Sequence, residues 1–202
     1  ACTVNHTNES GLGAAHEAIT IYGVNVFSVS ECTVHTNGEE GIDAKYGSRN
    51  GEIHHNVCYG NSVNIYIDAA YTISVYANTV YNSTQDKSGI LLGIESTSNP
   101  SQYTTHDISI FNNVVYDNDA GVRFYIETLA AWTVFNNISI INNTFYNNNG
   151  FNYGAVNLGS GTTAHFTGSL VLRNNIFWEN SALSGAKELQ DNGNGTFASW
   201  AI

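Results

Sequence analysis

The chain has 202 residues, enough for one domain or one long repeat array, and hydrophobic residues make up 42% of it, enough for a sizeable core. It carries 6 Lys and Arg against 17 Asp and Glu, a formal charge of -11, which argues against nucleic acid or an anionic membrane surface as a partner because both repel an acidic protein. No apolar run approaches the ~20 residues of a membrane helix, so we expect no membrane insertion.

The composition favours β structure with many tight turns. Asn is poor in helices and tolerated in turns, and it accounts for about 28 residues of this chain. There is 1 Pro and no Met, and the chain begins at Ala1 in the middle of a repeating pattern. We treat residues 1–202 as a single domain, a mature or excised segment, and the acidic, Asn-rich composition fits an extracellular location.

A short phrase recurs along the whole chain, and an alternating apolar strand accompanies it on each side. The phrase occupies residues 2–4, 32–34, 56–59, 78–81, 113–116, 143–146 and 175–178. The strand before it lies at 24–29, 51–54, 73–76, 108–111, 138–141 and 169–172. The strand after it lies at 41–44, 64–67, 89–92, 121–124 and 154–158, and residues 18–21 supply its first copy.

Three short strands in each repeat predict an all-β solenoid, because the period is too short for βαβ units. The fitting fold is a right-handed parallel β-helix of about seven coils stacked ~4.8 Å apart. Equivalent residues then lie over one another, and the Asn that heads the phrase forms a hydrogen-bonded ladder. Its members are Asn56, Asn78, Asn113, Asn143 and Asn175. Residues 181–202 fall after the last repeat and are predicted to form an irregular or short helical C-terminal cap.

Two cysteines occupy the first two positions of the Asn column. Stacking places the Cα atoms of Cys2 and Cys32 about 4.8 Å apart, which a disulfide tolerates. The alternative, which we favour from the sequence, is a pair of buried thiols in the Asn slots. Cys58 falls in an apolar column, so we expect a small core residue there.

The phrases Asn-x-[Val/Phe]-Tyr-x-Asn and Gly-Ile-x-[Ala/Leu] resemble the repeats of secreted right-handed parallel β-helix proteins, the pectate-lyase-like superfamily. Residues 40–50 followed by 65–69 are similar to an uncharacterised bacterial subgroup of that superfamily. The resemblance covers nearly the whole chain and implies a secreted, carbohydrate-active protein. The superfamily holds lyases, hydrolases, tail-spike depolymerases and non-catalytic adhesins, so the fold leaves open whether this chain is an enzyme.

In this superfamily the ligand groove follows the sheet that carries the Gly-Ile strands. Alternation points every second residue of those strands outward, and stacking gathers these residues in columns. One column holds Thr20, Asp43, Tyr66, Leu91, Arg123 and Asn157, and the next holds Tyr22, Lys45, Asp68, Gly93 and Tyr125. Glu95 and Glu127 lie at the strand ends.

Asp43, Lys45 and Asp68 are the predicted catalytic residues. Lys45 and Asp68 share a column and are expected to pair, while Asp43 and Asp68 lie roughly 8 Å apart by strand geometry, as in inverting glycosidases. The same carboxylates, together with Glu95, could instead bind Ca²⁺ that bridges to a uronate, with a Lys or Arg as the base of a β-elimination. Tyr22, Tyr66, Arg123, Tyr125 and Glu127 are the predicted substrate-binding residues.

These observations favour a secreted polysaccharide lyase or glycoside hydrolase that acts on an acidic polysaccharide in a groove along one sheet. The alternative is a non-catalytic glycan-binding, adhesin or filament-forming module that associates end to end. A second outward column is aromatic and has two interpretations: a ladder that stabilises the stacked strands, or a sugar platform or lateral interface. Its members are Tyr59, Tyr81, Tyr116, Tyr146 and Trp178.

Overall fold

Three sheets of parallel strands, numbered in chain order, build the structure, a computed structural model that describes residues 2–8, 17–85, 87–150, 153–159, 165–180, 188–190 and 200–201. Sheet I contains β1 (Cys2–Asn5), β4 (Cys32–His35), β7 (Val57–Tyr59), β10 (Thr79–Tyr81), β13 (Val114–Tyr116), β16 (Thr144–Tyr146) and β19 (Ile176–Trp178). Sheet II contains β2 (Ile19–Tyr22), β5 (Ile42–Lys45), β8 (Ile65–Asp68), β11 (Ser88–Ile94), β14 (Ala120–Ile126), β17 (Gly154–Asn157) and β20 (Leu189–Gln190). Sheet III contains β3 (Asn25–Ser30), β6 (Arg49–His54), β9 (Tyr71–Tyr76), β12 (Thr105–Phe111), β15 (Phe135–Ile141), β18 (Leu170–Arg173) and β21 (Trp200–Ala201).

Each strand pairs with the strands three places before and after it in the chain, so three strands complete one coil. The predicted parallel β-helix of seven coils is therefore confirmed, and the described residues form no α-helix. Within that same part of the chain, no helix is long and apolar enough to span a membrane.

The core is a set of apolar columns inside the coil. In sheet II the inward residues are the ones that the alternation predicts, and all of them are fully buried: Ile42, Ala44, Ile65, Ile67, Ile90, Leu92, Val122 and Phe124. Sheet III adds the columns that contain Ile53, Val75, Ile110 and Ile140. Because each layer repeats the one below, every coil covers the apolar face of its neighbour.

The predicted Asn ladder is present. Nδ2 of Asn78 donates to Oδ1 of Asn113 at 3.0 Å, and Nδ2 of Asn113 donates to Oδ1 of Asn143 at 3.0 Å. Each Asn also binds backbone groups, since Nδ2 of Asn113 reaches the carbonyl of Val75 at 2.9 Å. The ladder therefore satisfies buried backbone polar groups at this corner of the coils that it spans.

A second Asn ladder runs down the next corner. It begins at Asn37, whose Nδ2 donates to Oδ1 of Asn61 at 2.8 Å, and it ends at Asn180, whose Nδ2 donates to Glu188 at 2.7 Å. Its other members are Asn64, Asn118 and Asn148. The sequence phrase already contains its signal, because all of these residues except Asn64 lie two places after the outward aromatic residue of their coil.

The preference for two buried thiols at the top of the first ladder is wrong. Cys2 and Cys32 are register partners with Cα atoms 4.5 Å apart, and they form a disulfide. Cys2 is exposed and Cys32 is half-buried, so neither residue is buried in the core as the prediction required. Cys58 is fully buried as predicted, and burial raises the pKa of its thiol to about 12.

Only part of the predicted C-terminal cap lies within the described residues. Within 181–202 these are 188–190 and 200–201, and they contain β20 and β21, which pair with β17 and β18 as the last strands of two sheets. The remainder of the predicted cap lies outside the described residues.

Candidate functional site

The outward columns of sheet II have the register that the sequence predicts. Thr20 pairs with Asp43, Asp43 with Tyr66, Tyr66 with Leu91 and Leu91 with Arg123. In the next column Tyr22 pairs with Lys45, Lys45 with Asp68, Asp68 with Gly93 and Gly93 with Tyr125. The candidate residues of both columns therefore lie on one face of the β-helix.

This face is not an open sheet. Asp43 and Asp68 are fully buried, and Lys45 and Tyr66 are almost so. Gly93 permits part of this packing: a Cβ at position 93 would lie 2.4 Å from the hydroxyl oxygen of Tyr66, so the missing side chain lets that ring lie across the strand. Asp43 and Asp68 thus form a layer beneath the surface of the face.

Lys45 pairs within its own strand and with the segment before β2, not with Asp68 as predicted. Its Nζ lies 2.8 Å from Oδ2 of Asp43 and hydrogen-bonds a carboxylate oxygen of Glu17. Burial works against the charge of Lys45, but the two carboxylates outweigh it and raise the pKa of Lys45 above its usual range. Lys45 is therefore a firmly protonated, buried cation.

Asp68 lies beneath Glu95, the next carboxyl toward the surface. Oδ1 of Asp68 accepts the backbone N–H of Glu95 at 3.0 Å, and Oδ2 has no hydrogen-bond partner among the described residues. The hydroxyls of Tyr46 and Tyr66 each donate to the carboxylate of Glu95 at 3.3 Å. Burial, aided by the charge of Glu95, raises the pKa of Asp68 to about 7, so Asp68 keeps its proton until near neutral pH.

A cleft of ≈ 200 Å³ opens above this layer. Its floor is Val63, Tyr66 and Leu91, and the groups around it are Glu40, Lys87, Ser88, Glu95, Arg123 and Tyr125. Hydrogen-bond acceptors and donors both surround this space. The acceptors are the carboxylates of Glu40 and Glu95, and the donors include the cationic groups of Lys87 and Arg123. We name this space the sheet II cleft.

Two donors at the sheet II cleft have no partner among the described residues. Nε of Arg123 and Oγ of Ser88 are both buried without a hydrogen bond. The guanidinium of Arg123 stacks over the ring of Tyr153, with its central carbon 4.4 Å from the ring centroid. Unsatisfied buried donors are costly, so these two groups are suited to an anionic or hydroxyl-bearing ligand.

Glu40 and Lys87 face each other at one end of the cleft, with Nζ 3.6 Å from Oε1. Burial raises the pKa of Glu40 above its ordinary value, and the charge of Lys87 opposes this shift. Lys87 also lies 3.6 Å from Glu39 and is a third exposed, so it can move toward a ligand.

The structure brings together only some of the predicted substrate-binding residues. Tyr66, Arg123 and Tyr125 line the sheet II cleft. Tyr22 is exposed and packs edge to face on Tyr46, with centroids 5.4 Å apart. Glu127 accepts the backbone N–H and the hydroxyl of Thr97 at 3.0 and 2.7 Å, and these hydrogen bonds lower its pKa. Neither Tyr22 nor Glu127 lines the cleft.

The predicted calcium site combines Asp43, Asp68 and Glu95. Among the described residues, no group of three or more His, Cys, Asp or Glu side chains is arranged to hold a metal ion. The ammonium of Lys45 already lies against Asp43, so Asp43 does not fit as a metal ligand in this arrangement. Calcium binding stays a prediction.

Sequence reasoning missed Glu40, Lys87 and Ser88. Glu40 and Lys87 lie before the strands that follow them, where a period-2 pattern assigns no direction. Ser88 is in β11, but Gly89 and Ile90 both point inward, since a Cβ at position 89 would lie 3.0 Å from the side chain of Val115. The alternation is therefore broken between Gly89 and Ile90, and Ser88 has the orientation opposite to the one that the pattern predicts. The scarcity of cations was the available signal, because Lys87 is one of only 6 basic residues.

A family model described as a right handed beta helix region matches residues 1–177. No curated protein and no solved structure matches the chain. The match spans most of the chain and agrees with the three parallel sheets.

Proposed function

The chain belongs to the right-handed β-helix family, and we propose that it binds an acidic polysaccharide in the sheet II cleft and hydrolyses it. The observation that carries the proposal is that two kinds of group surround one cleft. Arg123 Nε and Ser88 Oγ are buried donors without hydrogen bonds, and Glu40 and Glu95 contribute carboxylates. A sugar acid offers the complementary groups, a carboxylate for the donors and hydroxyls for the carboxylates. Tyr125 provides a ring at the edge of the cleft for the apolar face of the sugar.

The chemistry of the cleft favours hydrolysis over β-elimination. Elimination needs a base that removes a carbon-bound proton, but Lys45 is buried and holds its proton tightly, and an arginine keeps its proton throughout the physiological range. Asp68, by contrast, retains its proton to about pH 7. Hydrolysis would use the two carboxyls that line the cleft: Glu95 would protonate the leaving glycosidic oxygen, and Glu40 would take a proton from the water that forms the new bond to the anomeric carbon.

Location outside the cell is part of the proposal. The Cys2–Cys32 disulfide supports it, because disulfides form and persist in oxidising compartments. The formal charge of -11 counts against nucleic acid, and Lys87 and Arg123 are the cations in the cleft that would attract the carboxylate of a sugar acid.

The test is an activity screen on polygalacturonate, alginate and neutral glucans. Hydrolysis releases reducing ends without ultraviolet absorbance, whereas elimination adds the absorbance of an unsaturated uronate. We expect Glu95→Gln to lower kcat by about 100-fold or more, and Arg123→Ala to raise KM on polyuronate about tenfold. Glu127→Gln, outside the cleft, serves as the matched control and should change neither.

Two results would overturn the proposal. Unsaturated products would show elimination. Tight polyuronate binding that depends on Arg123, with no cleavage of any substrate, would instead support the non-catalytic glycan-binding alternative.

A further inference from the structure

The outward aromatic column of sheet I is a continuous stack over four coils and then changes geometry. His35, Tyr59, Tyr81 and Tyr116 stack nearly parallel, with successive ring centroids 4.7, 4.7 and 4.8 Å apart. The next two members, Tyr146 and Trp178, meet edge to face, with centroids 6.5 Å apart and planes at 89°. The first four rings cover one another, whereas the change at Tyr146 leaves ring faces open.

A broad cleft lies at this change. Its volume is ≈ 650 Å³, within the range of ligand sites, and its apolar wall is formed by Val114, Tyr116, Tyr146, Ile176 and Trp178. Trp178 is 62% exposed and Ile176 is 58% exposed. Four of the eight exposed large hydrophobic side chains of the described residues line it, so apolar exposure is concentrated here. We name this space the sheet I cleft.

The rim of the sheet I cleft is polar and acidic. Asp117 and Glu179 line it, each directly after the aromatic residue of its coil. Between them Asn147 donates through Nδ2 to Oδ1 of Asp117 at 2.6 Å, which fixes one of the two carboxylates. No Lys or Arg lines this cleft among the residues that the structure describes.

From this geometry we infer that the sheet I cleft binds a neutral oligosaccharide. The C–H face of a pyranose ring is weakly positive and packs on the negative face of an aromatic ring, which Tyr146 and Trp178 present. The carboxylates of Asp117 and Glu179 accept hydrogen bonds from sugar hydroxyls. The same two charges repel a uronate, so the ligand class differs from that of the sheet II cleft.

Charge also argues against a second copy of the chain as the molecule that occupies the sheet I cleft. Self-association through this face would bring Asp117 and Glu179 toward another surface of a protein whose formal charge is -11. Like charges across an interface oppose association unless cations intervene. A neutral glycan brings no such charge.

The experiment is titration calorimetry of the whole protein with cellohexaose, xylohexaose and hexagalacturonate, together with sedimentation velocity without sugar. We expect one of the two neutral hexasaccharides to bind, and Trp178→Ala and Tyr146→Ala each to weaken that binding about tenfold. Tyr81→Ala is the matched control, because Tyr81 lies within the stack and away from the cleft. It should leave the affinity unchanged even where it lowers stability.

The sheet II variant Arg123→Ala should also leave neutral-sugar binding unchanged, so this inference and the proposed hydrolysis can fail separately. Asp117→Asn combined with Glu179→Gln should reduce the discrimination against hexagalacturonate. The inference is overturned if neither neutral hexasaccharide binds, or if Trp178→Ala abolishes a dimer seen by sedimentation instead of a sugar affinity.

Discussion

Lys45 lies 2.8 Å from Asp43, two residues before it on the same strand, although its register partner on the next coil is Asp68. The ammonium thereby joins Glu17 and Asp43 in one buried cluster and leaves Asp68 to the backbone N–H of Glu95. Against the effect of burial, Lys45 lowers the pKa of Glu17, whereas burial raises the pKa of both Asp43 and Asp68 in spite of the nearby ammonium. This arrangement determines the stability and pH behaviour of the face of sheet II.

Replacement of Lys45 by Met should strongly destabilise the protein. The substitution keeps most of the side-chain volume but leaves Asp43 buried without its cation, and breaking a buried ion pair costs about 3–5 kcal/mol. The free energy of unfolding, from urea denaturation, measures this loss. Lys87→Met is the matched control, since Lys87 is partly exposed and its pairs at 3.6 Å should contribute about 1 kcal/mol or less. Equal losses in the two variants would contradict the assignment.

Asp68 should make the protein less stable as the pH rises from about 4 to 7. In this window the unfolded chain has lost the Asp68 proton while the folded protein, with a pKa of about 7, retains it, so raising the pH favours unfolding. The accumulated penalty is about 4 kcal/mol above pH 7. Asp68→Asn removes the titration and can still accept the N–H of Glu95. The difference in unfolding free energy between Asp68→Asn and wild type should therefore grow over this window; a constant difference would show that Asp68 does not titrate there.

Removal of one side chain from the first Asn ladder should strongly lower the stability of the protein. Asn113→Ala removes the acceptor of the Asn78 backbone N–H at 3.0 Å and the donor to the Val75 carbonyl at 2.9 Å. Several buried polar groups then lack partners, at about 1–3 kcal/mol each. We expect unfolding at a clearly lower urea concentration than for Asn112→Gly, an exposed neighbour in a left-handed turn that glycine adopts freely. Similar midpoints for the two variants would argue against the ladder.

The disulfide should stabilise the first coil. Cys2 and Cys32 are 30 residues apart, and closing a loop of that length contributes about 3–4 kcal/mol in the chain-entropy model. The double variant Cys2→Ser and Cys32→Ser should match the reduced wild type in urea unfolding, and both should be less stable than the oxidised protein. Cys58→Ala, which removes only the buried thiol, should respond to reductant as wild type does. Insensitivity of the wild type to reductant would contradict this prediction.

Repetition made the fold predictable to the level of single residue pairs. Because the phrase recurs in every coil, the strand order and columns such as Asp43 over Tyr66 follow from alignment of the repeats alone. The burial of those columns did not follow. It depends on Tyr66 lying across Gly93 of the paired strand and on Glu17 reaching Lys45, side-chain contacts that the repeat does not specify.

Which side chains form ion pairs or disulfides was harder to predict from the sequence than where those side chains lie. The sequence correctly placed Lys45 beside Asp68, but a flexible lysine selects between neighbours by local charge, and Asp43 with Glu17 offers two carboxylates. For Cys2 and Cys32 the predicted distance was correct, but the preferred prediction of two buried thiols was wrong. Cys2 is exposed and Cys32 half-buried, and the two form a disulfide.

Calcium should have little effect on the stability of the wild-type protein. The ammonium of Lys45 occupies the place beside Asp43 that a bridging cation would take, and the two cations repel each other. We therefore expect millimolar Ca²⁺ to leave the thermal midpoint of the wild type nearly unchanged. In Lys45→Met the same carboxylates lack a cation, so Ca²⁺ should raise the midpoint, because a ligand that binds only the folded state stabilises it.

Differential scanning calorimetry of both proteins in Ca²⁺, Mg²⁺ and EDTA makes the comparison. Mg²⁺ is the control, since it requires near-ideal octahedral geometry and gives up its water reluctantly. Lys45→Met combined with Asp43→Asn should lose the response to Ca²⁺, which would assign that response to Asp43. A large Ca²⁺ shift in the wild type that Asp43→Asn abolishes would mean that the metal displaces Lys45. Asp43 would then be a calcium ligand, as a calcium-dependent elimination would require.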